Sequence, residues 1–353
     1  MPHNILITGG SGYLGGTLLA RMGAANLPFY GNLYASARTT EQADGVRQYG
    51  AEPLSFNLKD EAEVWTSVVE NKITVVYYMI DAISLGPPMF FIKALAEVKK
   101  RTGHTVHFLH TTGAKLFSNH AGAPTDRPLL DTDPQLYNIQ KSQRAKLAPI
   151  QEAVNNSCEV INQAEQHDVR SYIFVPCIVY GKSEGFGEPI AMLRQIVNIV
   201  QAAKALKRVY RVDLDHPTWP VCHVVDNAGI YIELLRKILV DGNPSYGKNG
   251  YYLASSGSIS WDDLYSAVSK ALAKRSIVSD ALVETANDQI LEKMGTALGR
   301  PKEFVPLQLG GKCTFTPRRA EEEFGWKPVY QPQHILEIID EEVERILQHL
   351  PEF

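Results

Sequence analysis

The chain has 353 residues, 44% of them hydrophobic and 21% charged, and a formal net charge of −4, a globular composition long enough for one large or two smaller folding units. No run of Lys and Arg is longer than Lys99-Lys100-Arg101, so the concentrated basic face that phosphate backbones demand is missing and no nucleic acid partner is expected. No stretch approaches the roughly 18 apolar residues that cross a bilayer, and Ile5-Leu6-Ile7 is too short for a signal-peptide core, so no membrane partner and a cytoplasmic location are expected.

In chain order, apolar strands are predicted over Asn4–Thr8, Leu33–Ala37, Glu52–Phe56, Val75–Ile80, Val106–His110 and Ser171–Val175. Between them lie helical stretches over Leu14–Met22, Glu61–Val69, Phe90–Lys100 and a long one from about Gln135 to Gln166. Continuous apolar strands separated by helices predict an α/β fold with a doubly wound, Rossmann-type parallel sheet covered on both faces. The second half is less regular: helices over Glu188–Leu206, Asp226–Val240 and Ser260–Ala273, with Ser260 as N-cap, and strands over Val209–Val212 and Tyr251–Ala254. His334–Leu350 carries a one-sided apolar stripe that predicts a helix packed on the chain's own core, or else a dimer contact. The cysteines at 158, 177, 222 and 313 are too far apart for a zinc or redox pair and read as buried thiols.

The run Ile7-Thr8-Gly9-Gly10-Ser11-Gly12-Tyr13-Leu14-Gly15-Gly16 is a strand end, a tight glycine turn and a helix start. Glycine serves where the backbone takes positive φ and where a pyrophosphate must approach the main chain, and the amides of the helix start then hold the phosphate charge. Gly9, Gly12, Tyr13, Leu14 and Gly15 are therefore candidate dinucleotide-binding residues. The second strand ends Ser36-Ala37-Arg38-Thr39-Thr40 with no carboxylate for a ribose 2′-hydroxyl. Arg38 suits a 2′-phosphate instead, so NADP (as NADPH) is favoured and NAD is the less favoured cofactor; Ser36, Thr39 and Thr40 would add hydroxyls.

Tyr137 and Lys141 stand four residues apart on one predicted helix face. A phenol needs a nearby cation to act as an acid near neutrality, and a lysine one turn away supplies it. The fifth strand ends in Thr111-Thr112, and one of these hydroxyls would orient a substrate carbonyl while Tyr137 passes it a proton. Thr112 is the preferred hydroxyl and Thr111 the second choice. His107, His110, His216 and His223 show no metal-ligand spacing, so no metal is expected.

With these motifs in place, the chain resembles the extended short-chain dehydrogenase/reductase family, also described as NAD-dependent epimerase/dehydratase-like, over most of its length. Thr8-Gly9-Gly10-Ser11-Gly12-Tyr13-Leu14-Gly15 matches the family's TGxxGxxG turn, and Phe56-Asn57-Leu58 sits where the family has Asp-Leu beside the adenine. Phe174–Gly181 is similar to its RPxxVYG segment, Val221–Ala228 to its HVxDxA return, and Glu323–Pro328 to its LGWKP tail. The resemblance implies an oxidoreductase with a Rossmann domain over 1–185 plus about 220–240, a smaller α+β substrate domain over 186–219 and 241–333, and a C-terminal helix over 334–353. It also implies a Thr112/Tyr137/Lys141 catalytic site, cofactor contacts from Asn57, Leu58, Tyr137, Lys141 and Pro176, and a homodimer through helices near 90–101 and 135–155.

Asn57 replaces the family's aspartate, and Val175 the arginine before Pro176. Aligning Phe117 on the family's fifth-strand tyrosine puts Gly113 at the serine position; one inserted residue puts Thr112 there, 25 residues before Tyr137. Thr112–Phe117 also resembles the TGxKxY stretch of progesterone-5β-reductase-like enone reductases, whose lysine is itself catalytic, which makes Lys115 a rival to Lys141. The leading expectation is an NADPH-dependent reductase of a carbonyl on a small organic molecule, possibly a secondary metabolite. The alternatives are a nucleotide-sugar epimerase or dehydratase with tightly held NAD, and a non-catalytic NADP-binding sensor or scaffold. Met89, Phe90, Phe91, Phe117, Phe186 and Trp219 are the expected apolar pocket lining. Arg194, Lys204, Lys207, Arg208 and Arg211 form no convincing diphosphate cluster.

Overall fold

The computed structural model describes residues 2–186 and 194–350. Seven parallel strands form its central sheet: β1 (Asn4–Ile7), β2 (Leu33–Ser36), β3 (Glu52–Leu54), β4 (Ile73–Tyr78), β5 (His107–Thr111), β6 (Arg170–Pro176) and β7 (Tyr251–Ala254). Their spatial order is β7-β6-β5-β4-β1-β2-β3, so the winding reverses beside β1, where ligands of such sheets bind at the carboxyl edge. In the first half the helices are α1 (Tyr13–Met22), α2 (Thr40–Arg47), α3 (Glu61–Glu70), α4 (Gly86–Thr102), α5 (Leu136–Ser142) and α6 (Ala148–Gln166). The second half adds α7 (Arg194–Leu206), α8 (Val224–Leu239), α9 (Trp261–Lys274), α10 (Asp288–Ala297), α11 (Val305–Leu309), α12 (Arg319–Phe324), α13 (His334–Glu337) and α14 (Ile339–His349).

Strand alternation builds two cores. Ile5, Ile7, Val75, Tyr77, Leu109, Tyr172 and Phe174 face α1, α2 and α8, where Leu18, Leu19, Val46, Ile230, Leu234 and Leu235 meet them. Leu6, Val76, Tyr78 and Phe108 point the other way, onto Val64, Val68, Phe91, Leu95, Val154 and Ile161 of α3, α4 and α6. Side chains on both faces are buried, which is why the strands read as unbroken apolar runs.

Three expectations change. The long helix from about Gln135 to Gln166 is two helices, α5 and α6, broken over 143–147; Pro149 has no N–H to give an i−4 carbonyl and instead sits in the first turn of α6, where none is needed. Helix α2 was not expected from the sequence: only Gly45 and Val46 of it are buried, so it carries no apolar stripe, and its start is fixed by Thr39, whose hydroxyl accepts from the Gln42 amide. Residues 251–254, expected in the smaller domain, supply the edge strand β7 of the central sheet, while Ala320 and Phe324 of α12 pack into the α1/α8 core. Of the helix expected over Glu188–Leu206, α7 is observed and 188–193 lie outside the described residues. Ser260 does cap α9.

The smaller part is built on a three-stranded sheet of 178–180, 218–223 and 257–260, with 209–211 paired to 283–285. Ile335, Ile339, Val343 and Ile346 of the C-terminal stripe are buried against α7 and α9 of the same chain.

Candidate functional site

The glycine turn sits at the carboxyl edge of β1. Gly9 takes φ +72°, and its amide donates to Ser36 Oγ at 3.3 Å, tying the turn to β2. The Gly12 amide donates to the Gly9 carbonyl at 2.9 Å. Gly12 is the N-cap of α1 and offers no side-chain cap, so the first amides of α1 are left for an anion that the helix dipole also favours. A Cβ on Gly15 would lie 2.3 Å from the Gly9 carbonyl oxygen, so the turn closes only with glycine there. Tyr13 and Leu14 are buried against Val179 and Val224, and the Tyr13 hydroxyl donates to the Gly181 carbonyl at 2.6 Å. This cradle fits a dinucleotide pyrophosphate.

At the adenosine end, Arg38 is exposed directly after β2. The Thr39 hydroxyl accepts from the Gln42 amide in the α2 cap and keeps its own hydrogen to donate beside the Arg38 guanidinium. Asn57 accepts from the Lys59 amide at 3.0 Å, and its own amide donates to Glu63 at 2.7 Å; it shapes the turn before α3, with Leu58 half-buried beside it.

The end of β5 separates the two threonines by alternation. The Thr111 hydroxyl is hydrogen-bonded to Tyr231 of α8 at 2.9 Å, whereas the buried Thr112 Oγ has no partner. His110 is also buried, stacked on Tyr78 with centroids 5.8 Å apart, and its Nδ1 has no partner. Burial holds its imidazole down at about 4, against a small upward pull from Asp81. Gly113 is extended, and the next turn carries Lys115, whose Nζ donates to Gln308 Oε1 of α11 at 2.8 Å. Lys115 thus reaches from the strand edge to the smaller part of the molecule. Gln308, 193 residues away in sequence, had no signal that could have found it. Pro176 ends β6 at the same edge, followed by the half-buried Cys177, whose thiol donates to the Ala254 carbonyl at 3.1 Å.

The structure places Tyr137 and Lys141 away from that edge. Helix α6 descends from the carboxyl edge to the start of β6, and the Tyr137 hydroxyl donates to Asn162 Oδ1 at 2.7 Å. Asn162 lies 14 residues past Ala148, roughly 21 Å down the helix. The neighbouring cation is Lys248, 5.4 Å from the Tyr137 ring and ion-paired with Glu165 near the end of α6. Lys141 Nζ stands 5.9 Å from the ring, yet burial dominates and raises the phenol's pKa. The physical cause is the helix break: α5 docks on the flank of α6 away from α4, with Gln140 bonded to Tyr251 of β7 at 2.8 Å. The first turns of α6, which do reach the carboxyl edge, read Ala148-Pro149-Ile150-Gln151-Glu152, with no tyrosine or lysine.

Phe91, Phe117 and Trp219, expected in a pocket, are core residues, and Phe186 lies against Gly45 of α2. Arg208 is ion-paired with Asp280 and Glu284, and Arg211 with Asp262. Among the described residues no group of three or more His, Cys, Asp or Glu side chains is placed to hold a metal, and no helix is long and apolar enough to cross a membrane.

No family model and no curated protein matches the chain. Solved structures do. A Stenotrophomonas maltophila UDP-glucose 4-epimerase with bound NAD and formylated UDP-arabinopyranose is similar at 14% identity and TM-score 0.63, covering 99% of this chain and 100% of that one. The Bacillus anthracis dTDP-glucose 4,6-dehydratase in complex with NAD follows at 13% and 0.58, covering 98% and 97%. A monomeric L-threonine 3-dehydrogenase from a metagenome is similar at 15% and 0.58, covering 97% and 99%. The fold is theirs from end to end, as the resemblance to extended short-chain dehydrogenases implied.

Proposed function

We propose that this chain binds NADPH at the Gly9–Gly15 turn and reduces a carbonyl on a small organic substrate, with Thr112 and Lys115, rather than Tyr137 and Lys141, at the reacting edge. The observation that carries the cofactor reading is the cradle itself: a turn closed by Gly15 against the Gly9 carbonyl and an α1 start with no side-chain cap. Arg38 favours the 2′-phosphate over a bare ribose. When bound, the nicotinamide supplies a hydride to the carbonyl carbon. The Lys115 ammonium then donates the balancing proton to the carbonyl oxygen, and Thr112 hydrogen-bonds that oxygen as charge gathers on it. The resemblance to the TGxKxY enone reductases supports Lys115, as does its reach across to Gln308.

The test is titration of the protein with NADPH and NADH, with an Arg38→Ala variant beside it. The expected result is NADPH affinity weakened about ten- to a hundred-fold in the variant, with NADH affinity kept within about two-fold. NADH preference in the unaltered protein defeats the NADP assignment. Binding of neither defeats the dinucleotide reading.

The placement of Tyr137 favours a second reading, an NADP-binding sensor without turnover. A carbonyl panel followed by NADPH oxidation separates the two, since Lys115→Gln abolishes turnover only if the chain is an enzyme. The nucleotide-sugar reading is disfavoured because Arg208 and Arg211 are held by carboxylates. From the same family resemblance we propose a homodimer across the α4 and α6 face.

A further inference from the structure

We propose that Gln308, on α11 of the smaller part, selects the substrate: its carboxamide oxygen positions Lys115, and its carboxamide N–H binds a second oxygen of the substrate, beside the carbonyl that is reduced. This inference rests on the reductase reading above and deepens it by naming a substrate class, small carbonyl compounds with an acceptor oxygen on the neighbouring carbon. Gln308 is 8% exposed and stands among Val305, Leu307 and Leu309, all buried. A polar group in such company is costly unless it is hydrogen-bonded. Its oxygen accepts from the Lys115 ammonium, with 2.8 Å between Nζ and Oε1. An ammonium has donors only, so the carboxamide must turn its oxygen to Lys115. That choice fixes the other half of the group, because the NH2 sits on the same carbon and therefore stands next to the ammonium. Among the described residues nothing accepts from Nε2, and this donor is left to a ligand.

The backbone behind Gln308 is held firmly enough to discriminate. The Leu309 carbonyl accepts from the Tyr265 hydroxyl and the Gly311 carbonyl from Trp261 Nε1, both on α9. The Gly311 amide donates to Asp213 Oδ2 at 2.7 Å, and a Cβ on Gly310 would lie 2.1 Å from that same oxygen. On the Lys115 side, His120 Nε2 meets the Gly310 carbonyl at 3.1 Å, and Asn119 exchanges two hydrogen bonds with the Lys312 backbone. The segment after α11 is thus fastened both to the smaller part and to the turn that carries Lys115. In the reduction, hydride reaches the carbonyl carbon, the Lys115 proton reaches its oxygen, and the second oxygen stays unchanged against Gln308 Nε2. A neutral amide suits that step, since it orients the ammonium without the charge with which a carboxylate would hold its proton. A substrate lacking the second oxygen leaves a desolvated donor unpaired, the situation in which a site rejects an analogue most strongly.

The test uses two matched pairs of carbonyl compounds, benzoin with deoxybenzoin and hydroxyacetone with acetone, reduced with NADPH by the unaltered chain, Gln308→Leu and Gln308→Glu. In each pair the ratio of kcat/KM for the hydroxylated member to that for its partner is expected to fall about ten-fold or more in Gln308→Leu. General damage to the fold would lower both members alike and leave the ratio standing. Acylation of Lys115 by acetic anhydride, followed by mass spectrometry across alkaline pH, reads the positioning without any substrate. Gln308→Leu should react faster than the unaltered chain and Gln308→Glu more slowly, because an acceptor or a carboxylate favours the ammonium over the reactive free amine. Loosening of the structure does not produce opposite shifts. An unchanged ratio in Gln308→Leu overturns the substrate assignment, and unchanged acylation in both variants overturns the contact. If the unaltered chain reduces neither pair, the reductase reading fails and takes the substrate assignment with it, while the acylation rates still decide whether Gln308 holds Lys115.

Discussion

Replacing Tyr137 with phenylalanine separates the geometry found here from the proton-donor role its spacing invites. The substitution keeps the ring, so no cavity opens, and removes one hydroxyl that donates to Asn162 Oδ1 at 2.7 Å. Asn162 is half-buried and keeps its contact to Glu159, so its freed oxygen is partly rehydrated. The loss is therefore that of one neutral hydrogen bond, about 1 kcal/mol. Unfolding entropy near 2.1 cal/mol/K per residue gives roughly 0.7 kcal/mol/K for a chain of this length, so the unfolding temperature should fall by about 1–2 °C. NADPH affinity, measured by calorimetric titration, should stay within about two-fold, and turnover of any carbonyl that Lys115 supports should be kept. Unchanged unfolding together with turnover reduced a hundred-fold or more would refute the argument and return Tyr137 to the reacting edge.

Other outcomes follow from single contacts. Gly15→Ala puts a Cβ 2.3 Å from the Gly9 carbonyl oxygen, so dinucleotide binding in titration should be lost while the circular dichroism of the sheet and helices persists; binding within ten-fold of the unaltered protein would show that the turn can open without cost. His110 is held near 4 by burial against an unfolded value of about 6.5. The unfolded chain therefore takes up its proton first, and stability is complete above about pH 6.5 and lost as the pH falls toward 4, by about 3 kcal/mol from this residue. Urea unfolding at pH 7 and pH 4.5 should show that slope, and His110→Phe, which keeps the stack on Tyr78, should flatten it. An unaltered slope would mean that other groups, such as His107 or His223, carry the acid sensitivity.

The glycine turn was legible in the sequence because it is local. A strand, a glycine turn and a helix start occupy twelve successive residues, from Ile5 to Gly16, and steric rules leave glycine few other uses there. The parallel sheet was legible for a related reason: strands buried on both faces must be apolar throughout. Strand β2 fell in place by the same pattern, with Arg38 just beyond its end. Where the pattern is weak, as in polar α2, the element is set by a capping threonine and by what the helix lies against.

The placement of the candidate catalytic side chains was not legible. Tyr137 and Lys141 have the right spacing on a helix, but spacing says nothing of which end of the sheet that helix meets. Pro149 breaks the helix, and tertiary packing of Gln140 on Tyr251 carries α5 to the flank of α6. The two threonines at the end of β5 differ only in which face they take, and Tyr231 from α8 decides it. Gln308 meets Lys115 from 193 residues further along the chain. By itself the sequence determined what local sterics and burial dictate: the winding of the sheet and the glycine turn at the end of β1. Only the tertiary structure decided which side chains stand at that turn, because a contact between distant segments leaves no periodic trace in either one.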